Sequence, residues 1–293
     1  MKKFLLIILA LIISLSCAVC IFIAGLFAGH RTVYDVSYGA KNCEKMDIYL
    51  PKRKIKSSEQ GCVLFIHGGS WTGGDKAEEK LKCAYLANKG YICASMNYTL
   101  YSEESADKFS LDIIMDEIDA ALIALCDFAS ERGITVTKAA TAGYSAGAHL
   151  SLLYAYSRAD SAPLEIVFAS GMGGPADFDT EIWGDVSLTI AHRLAGVTLT
   201  KEELSSDYAR EVLASVSPVT FITQNSPPSL FMYGGKDEIV SHKNGESLKR
   251  RLEQRGIEYK YVFQKNAGHG LIANPITRFS YNRALVDFCD KYF

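Results

Sequence analysis

Ser145 lies in "GYSAG", between a short apolar run and a stretch of helical spacing. A G-x-S-x-G sequence between strand and helix makes a turn so tight that flanking side chains would clash, and glycines remove the clash. The serine is then held with its hydroxyl exposed at the end of the strand. A serine hydroxyl is a weak nucleophile at neutral pH. It needs a base, and the base needs an acid to orient it. Four histidines follow Ser145 in the chain: His149, His192, His242 and His269. His149 lies one helical turn beyond the serine and points into packing. His192 falls in an irregular region, and His242 opens a helix beside Lys243 and Asn244. His269 sits in the loop "KNAGHG", just past the strand-like "YKYVFQ", which makes it the expected base. The expected acid is Asp237, just past the strand-like "SLFMYGG", with Glu238 as its neighbouring alternative.

A second motif supplies what acyl transfer also demands. The tetrahedral intermediate carries a negative oxygen, which backbone N–H groups must reach at hydrogen-bond distance. "HGGSWTGGDK", residues 67–76, follows an apolar run and is too rich in glycine for a simple turn. Gly68 and Gly69 are expected to present N–H groups to the oxyanion, together with Ala146 after the serine. On this reading their side chains are missing because substrate comes close. His67 reads as a brace for the loop. Trp71 and Tyr144 are the expected substrate-binding side chains.

These loops need a scaffold that brings their ends together. "GCVLFIH" and "GYICASMNY" are continuous apolar runs, as strands covered on both faces are. "KMDIYLP" alternates and ends in proline, as an edge strand does. Residues 111–130 place Ile114, Ile118, Leu122 and Leu125 at helical spacing, with Gly133 to end the helix. Strands alternating with helices predict an α/β fold, a mostly parallel, doubly wound sheet with helices on both faces. Residues 174–217 break that rhythm and are expected to form a small cap inserted over the site. The expected catalytic domain is 31–293.

The first 30 residues differ. After Lys2 and Lys3 a 26-residue run from Phe4 to Gly29 carries no charge. That exceeds the roughly 20 residues a spanning helix needs, and the 7–15 of a cleavable signal's core. Residues 1–30 are therefore expected to be a transmembrane signal-anchor with the catalytic domain extracytoplasmic, the alternative being secretion after signal cleavage. A net charge of -2 gives no reason to expect a nucleic-acid partner. Cys17 and Cys20 form a C-x-x-C, but inside the apolar run; Cys62 and Cys93 read as buried strand residues. No metal-ligand cluster, phosphate loop or dinucleotide fingerprint is present in the sequence, so no metal or cofactor is expected.

Taken together, "HGGSWTGGDK", "NYTL", "GYSAGAHL", "SPVTFI", "PPSLFMYGGKDEIV" and "AGHG" resemble α/β-hydrolase-fold serine esterases of the hormone-sensitive-lipase-like and carbohydrate-esterase-like branches. The resemblance spans about residues 45 to 275. It implies small carboxylic ester substrates, including acetyl or feruloyl groups on plant polysaccharides. There are two departures: Tyr98-Thr99-Leu100 lacks the family's usual central arginine, and Ser70 stands where a third glycine is often found. A serine peptidase, an arylformamidase and an inactive binding protein on the same fold are the competing readings.

Overall fold

The computed structural model describes residues 13, 14, 16, 29–52, 59–271 and 275–293. Among them one sheet of eight strands runs in the order β1-β2-β4-β3-β5-β6-β7-β8. The strands are β1 (His30–Ser37), β2 (Lys45–Pro51), β3 (Glu59–Ile66), β4 (Ile92–Met96), β5 (Thr135–Tyr144), β6 (Glu165–Met172), β7 (Ser229–Gly234) and β8 (Tyr259–Gln264). β2 is antiparallel to both neighbours, and every pairing from β4 to β8 is parallel.

The central strands are buried on both faces, which is why they read as unbroken apolar runs. Side chains of β3 alternate between two cores: Cys62, Leu64 and Ile66 enter one, Val63 and Phe65 the other. Helices α1 (Lys80–Lys89) and α8 (Pro275–Tyr292) cover the face that receives Phe65, through Leu86, Leu285 and Phe288. Helices α2 (Leu111–Ser130), α3 (Ala146–Ser157) and α7 (Lys243–Arg255) cover the other, through Ile118, Leu150 and Leu248. Each fully buried side chain of this size contributes about 1.5–3 kcal/mol. α2 spans the residues its periodicity predicts; its N-cap Ser110 accepts from the Ile113 amide at 3.2 Å. α3 is buried on every side from Ala146 to Tyr156, so it runs through the interior and fixes its first residues rigidly.

One sequence expectation is corrected. β2 is not the edge strand: β1 lies outside it, and β2 is buried from Met46 to Tyr49. β1 also supplies an element where the sequence pattern shows none. Parallel to β4, it begins at the edge of the sheet opposite the carboxyl ends of β3, β5, β7 and β8. The expected membrane segment lies almost wholly outside the described residues. Among those described, no helix is long and apolar enough to cross a membrane.

Candidate active site

The parallel register aligns the ends of β3, β5, β6, β7 and β8: Ile66 pairs with Gly143, Met172 with both Tyr144 and Met232, and Gly234 with Gln264. Residues just past these ends must therefore meet in space, although they are far apart in sequence. Ser145 is the first residue after β5. Its φ is 54°, in the left-handed region that a non-glycine residue enters at a cost of about 1–3 kcal/mol. Its neighbours make that turn possible. A Cβ on Gly147 would lie 2.0 Å from the Ile66 carbonyl oxygen, so only glycine lets α3 approach β3 so closely.

The Ser145 Oγ lies 3.0 Å from His269 Nε2, and His269 Nδ1 lies 2.8 Å from Asp237 Oδ2. The Asp237 side chain is fully buried. Its other oxygen, Oδ1, accepts from the Ile239 amide at 3.0 Å and the Val240 amide at 2.8 Å. With Oδ1 so engaged, Oδ2 is left for the imidazole. Glu238, the alternative acid, is exposed. Tyr144 lies beneath the histidine: its hydroxyl donates to the His269 carbonyl at 2.6 Å, and the rings are 5.2 Å apart. The structure thus gives Tyr144 a supporting contact to His269.

The 67–76 loop is folded on itself. Thr72 and Gly73 amides both donate to the Gly69 carbonyl at 3.0 Å. Gly69 has φ 109°, and a Cβ there would lie 2.1 Å from the Gly73 carbonyl oxygen. Its missing side chain makes room for the loop's own backbone. Gly68 is the position facing the serine, where a Cβ would come within 3.0 Å of the Tyr144 carbonyl and 3.3 Å of Ser145 Cβ. The two glycines thus lack side chains for different reasons, Gly69 for the loop's own backbone and Gly68 for the approach to Ser145. His67 braces the loop as expected. Its Nδ1–H donates to the Gly68 carbonyl at 2.7 Å, its ring stacks on Tyr98 at 4.4 Å, and burial lowers its pKa. Ala146 is the first residue of α3, where helix geometry leaves the amide without an intrahelical acceptor.

The sequence of residues 46–252 matches the family model BD-FAE. The chain belongs to the BD-FAE family. Ser145 and Asp237 fall inside the BD-FAE match and His269 beyond it, so the fold brings a residue from outside the matched stretch to the serine. Among curated proteins, esterase LipC of Mycobacterium tuberculosis is 26% identical over 248 residues, covering 80% of this chain and 59% of LipC. Kynurenine formamidase of Danio rerio is 28% identical over 123 residues, covering 42% of this chain and 38% of that enzyme. This BD-FAE chain therefore spans less than two thirds of either relative's length. Among solved structures, a truncated carbohydrate esterase from gut microbiota superposes with a TM-score of 0.69 at 18% identity, over 90% of this chain and 96% of that one. Esterase B from Lactobacillus rhamnosis gives 0.71 at 19%, over 96% and 93%. These likenesses establish the α/β-hydrolase fold.

Residues 174–217 of this BD-FAE chain contain α4 (Thr180–Trp183), α5 (Val186–Ala195) and α6 (Asp207–Ser215). Its start is fixed by Asn244, whose side-chain oxygen accepts from the Ala176 and Asp177 amides at 2.9 and 3.1 Å. It reaches the 67–76 loop through Arg193, which donates to the Ser70 carbonyl at 3.2 Å and lies over the Tyr101 ring. No local pattern in the sequence marks Arg193 or Asn244. Trp71, expected to bind substrate, is only 7% exposed. Its indole N–H donates to His149 Nδ1 at 3.2 Å, and His149 Nε2–H donates to the Val216 carbonyl at 2.8 Å.

His149 is completely buried, and burial lowers its pKa from 6.5 to about 4, opposed only by the Val216 carbonyl. Above about pH 6.5 it is neutral whether the chain is folded or not. Between there and pH 4 the unfolded chain binds a proton that the folded chain does not, so stability falls as pH falls through this window. The full loss from this one group is roughly 3 kcal/mol. His149→Asn removes the titrating group, so its stability should decline less between pH 7 and pH 4.5 than the wild type's. Urea unfolding at both pH values measures this; an unchanged decline would refute the assignment.

Proposed function

We propose that this chain is a serine hydrolase of small carboxylic esters. The observation that carries the reading is the continuous chain of contacts from Ser145 Oγ through His269 to the buried Asp237, at 3.0 and 2.8 Å. In this mechanism His269 Nε2 takes the hydroxyl proton as Ser145 Oγ attacks the ester carbonyl. The Nδ1 proton stays on the ring and is donated to the Asp237 carboxylate, which holds the ring in the tautomer whose Nε2 lone pair faces the serine. The carbonyl oxygen becomes negative within reach of the Gly68, Gly69 and Ala146 amides, at the start of α3 where the helix dipole also favours negative charge. The tetrahedral centre collapses. His269 returns the proton to the leaving alcohol, and an acyl group remains on Ser145. Water, activated by the same histidine, then releases the acid.

The substrate is proposed from the resemblance and from the carbohydrate esterase that shares the fold: acetyl or feruloyl esters of polysaccharides. The similarity to kynurenine formamidase supports a second reading, in which the same serine cleaves an N-formyl arylamine. Turnover of short-chain p-nitrophenyl esters tests the hydrolase reading. Running acetylated xylan, feruloyl sugar esters and N-formylaniline beside them separates the two substrate classes.

The apolar segment 4–29 is proposed to anchor the chain, with the domain extracytoplasmic; a cleaved signal is the alternative. The full-length chain should remain in the membrane pellet after a carbonate wash, with its first residues intact. A soluble chain whose mature N-terminus lies near residue 25–30 would show cleavage instead.

A further inference from the structure

The histidine of "GYSAGAHL" has no part in the proton transfers proposed above, yet it is completely buried and both of its ring nitrogens are engaged. Polar groups so deep in the core are retained only where each hydrogen bond is made. Here the partners come from three separate parts of the chain. His149 stands on α3, and its backbone amide donates to the Ser145 carbonyl at 3.1 Å. Its Nδ1 takes the indole N–H of Trp71, from the loop that holds Gly68 and Gly69. Its Nε2–H reaches Val216, at the end of the inserted segment. The Trp71 ring meets the imidazole edge-on, 88° apart with centroids at 5.2 Å, and Phe178 packs against both.

The loop needs such a tether. Ser70 and Trp71 have φ of 54° and 62°, two consecutive non-glycine residues in the left-handed region. A backbone held there relaxes unless its surroundings fix it. The Tyr101 amide donates to the Trp71 carbonyl at 2.8 Å, which fixes one side of the peptide. The indole, locked on His149, fixes the side chain. Trp71 follows Gly69 by two residues, so freeing the indole removes one of the restraints that aim the Gly68 and Gly69 amides, beside the His67 and Gly73 contacts.

We propose that His149 is a positioning residue for the reaction: as the neutral tautomer with its proton on Nε2, it holds the Trp71 indole and thereby aims the Gly68–Gly69 amides at the substrate oxygen, referencing them to the helix that begins at Ser145. The proposal rests on the hydrolase reading and goes beyond it by assigning a task to a residue that touches neither substrate nor reacting atoms.

Three variants test it. Trp71→Phe keeps an apolar ring and removes the indole donor. His149→Gln presents an amide toward Val216 but no acceptor where Nδ1 stood. His149→Asn places its side-chain oxygen near the Nδ1 position, so the Trp71 bond survives. Losing one oxyanion donor altogether costs roughly 10²–10³ in turnover. A mis-aimed loop should therefore lower kcat per folded molecule at least about 10-fold in Trp71→Phe and His149→Gln, with KM within about threefold. His149→Asn should stay within about threefold of the wild type in both. A phosphonate ester, whose adduct carries the tetrahedral anion, should label Ser145 in Trp71→Phe more slowly by the same factor as kcat. Normal kcat per folded molecule in Trp71→Phe, whatever its melting temperature, overturns the proposal. So does a His149→Asn variant as slow as His149→Gln. If His149→Gln does not fold, Trp71→Phe decides alone. A wild-type chain that the phosphonate fails to label at Ser145 defeats the hydrolase reading itself. A wild type labelled no faster than Trp71→Phe defeats only the positioning role.

Discussion

Ser145→Ala is expected to lower ester turnover by about 10⁵–10⁶-fold while leaving the chain folded. The size follows from how such residues work: serine, histidine and acid act as one unit, so removing the attacking atom forfeits nearly all that the unit supplies. What remains should still exceed reaction in water by about 10³–10⁴, through the oxyanion amides and substrate binding. The fold should survive because the bonds that hold this residue are made by its backbone. The Ser145 amide donates to the Met172 carbonyl at 2.9 Å, and its carbonyl accepts from the His149 amide. Alanine keeps both. It takes the 54° φ at much the same cost as serine. A melting temperature within a few degrees of the wild type, together with lost p-nitrophenyl ester turnover and lost phosphonate labelling, is the expected result. Turnover within tenfold of the wild type, or labelling of another serine, would remove Ser145 from the role proposed for it.

Much of this site could be read in the sequence because its parts are local. A strand end, a tight turn and a helix start are encoded within five residues at "GYSAG", and Asp237 and His269 each follow a strand by a few residues. The parallel sheet then does the assembling, since aligned strand ends bring those loops together whatever their separation in the chain. The strands themselves were legible for a related reason: burial on both faces leaves no polar alternation in β3 or β4. β1 escaped because "HRTVYDVS" is polar and half exposed, with only His30 fully buried, so neither periodicity stands out. β2 read as an edge because Pro51 ends it, but that proline is the strand's last residue, where no ladder bond is lost to β4. What the sequence could not carry were contacts between distant segments: Tyr144 on the His269 carbonyl, Arg193 on Ser70, Trp71 on His149. Each joins residues between 78 and 125 positions apart, and no local pattern selects the partner. Gly69 shows a subtler limit. Its spacing announced a glycine-dependent turn, but only the folded backbone shows that the space is taken by the Gly73 carbonyl.

Asp237→Asn should cost about 10⁴-fold in kcat, and the geometry around the carboxylate says why so conservative a change is so damaging. Oδ1 accepts two backbone amides, from Ile239 and Val240, and no water can replace them in a side chain that is fully buried. An asparagine at 237 keeps its oxygen on those two donors, since turning the amide around would set its NH₂ against two N–H groups. The NH₂ must then face His269 Nδ1, where the carboxylate oxygen stood at 2.8 Å. Nδ1 can meet a donor only by accepting, which places the ring's single proton on Nε2. That nitrogen lies 3.0 Å from Ser145 Oγ and now carries a hydrogen where a lone pair is needed. The base is disabled by its tautomer, with every hydrogen bond still made. The variant should consequently fold almost as well as the wild type, and the loss should fall on kcat rather than KM, because nothing that binds the ground state has moved. Asp237→Ala, by contrast, strands the Ile239 and Val240 amides and should lose stability as well. Glu238→Gln, at an exposed position beside the site, should leave kcat within about twofold. An Asp237→Asn enzyme with near-normal kcat would mean that His269 takes its tautomer from another group, and the three-residue assignment would have to be given up.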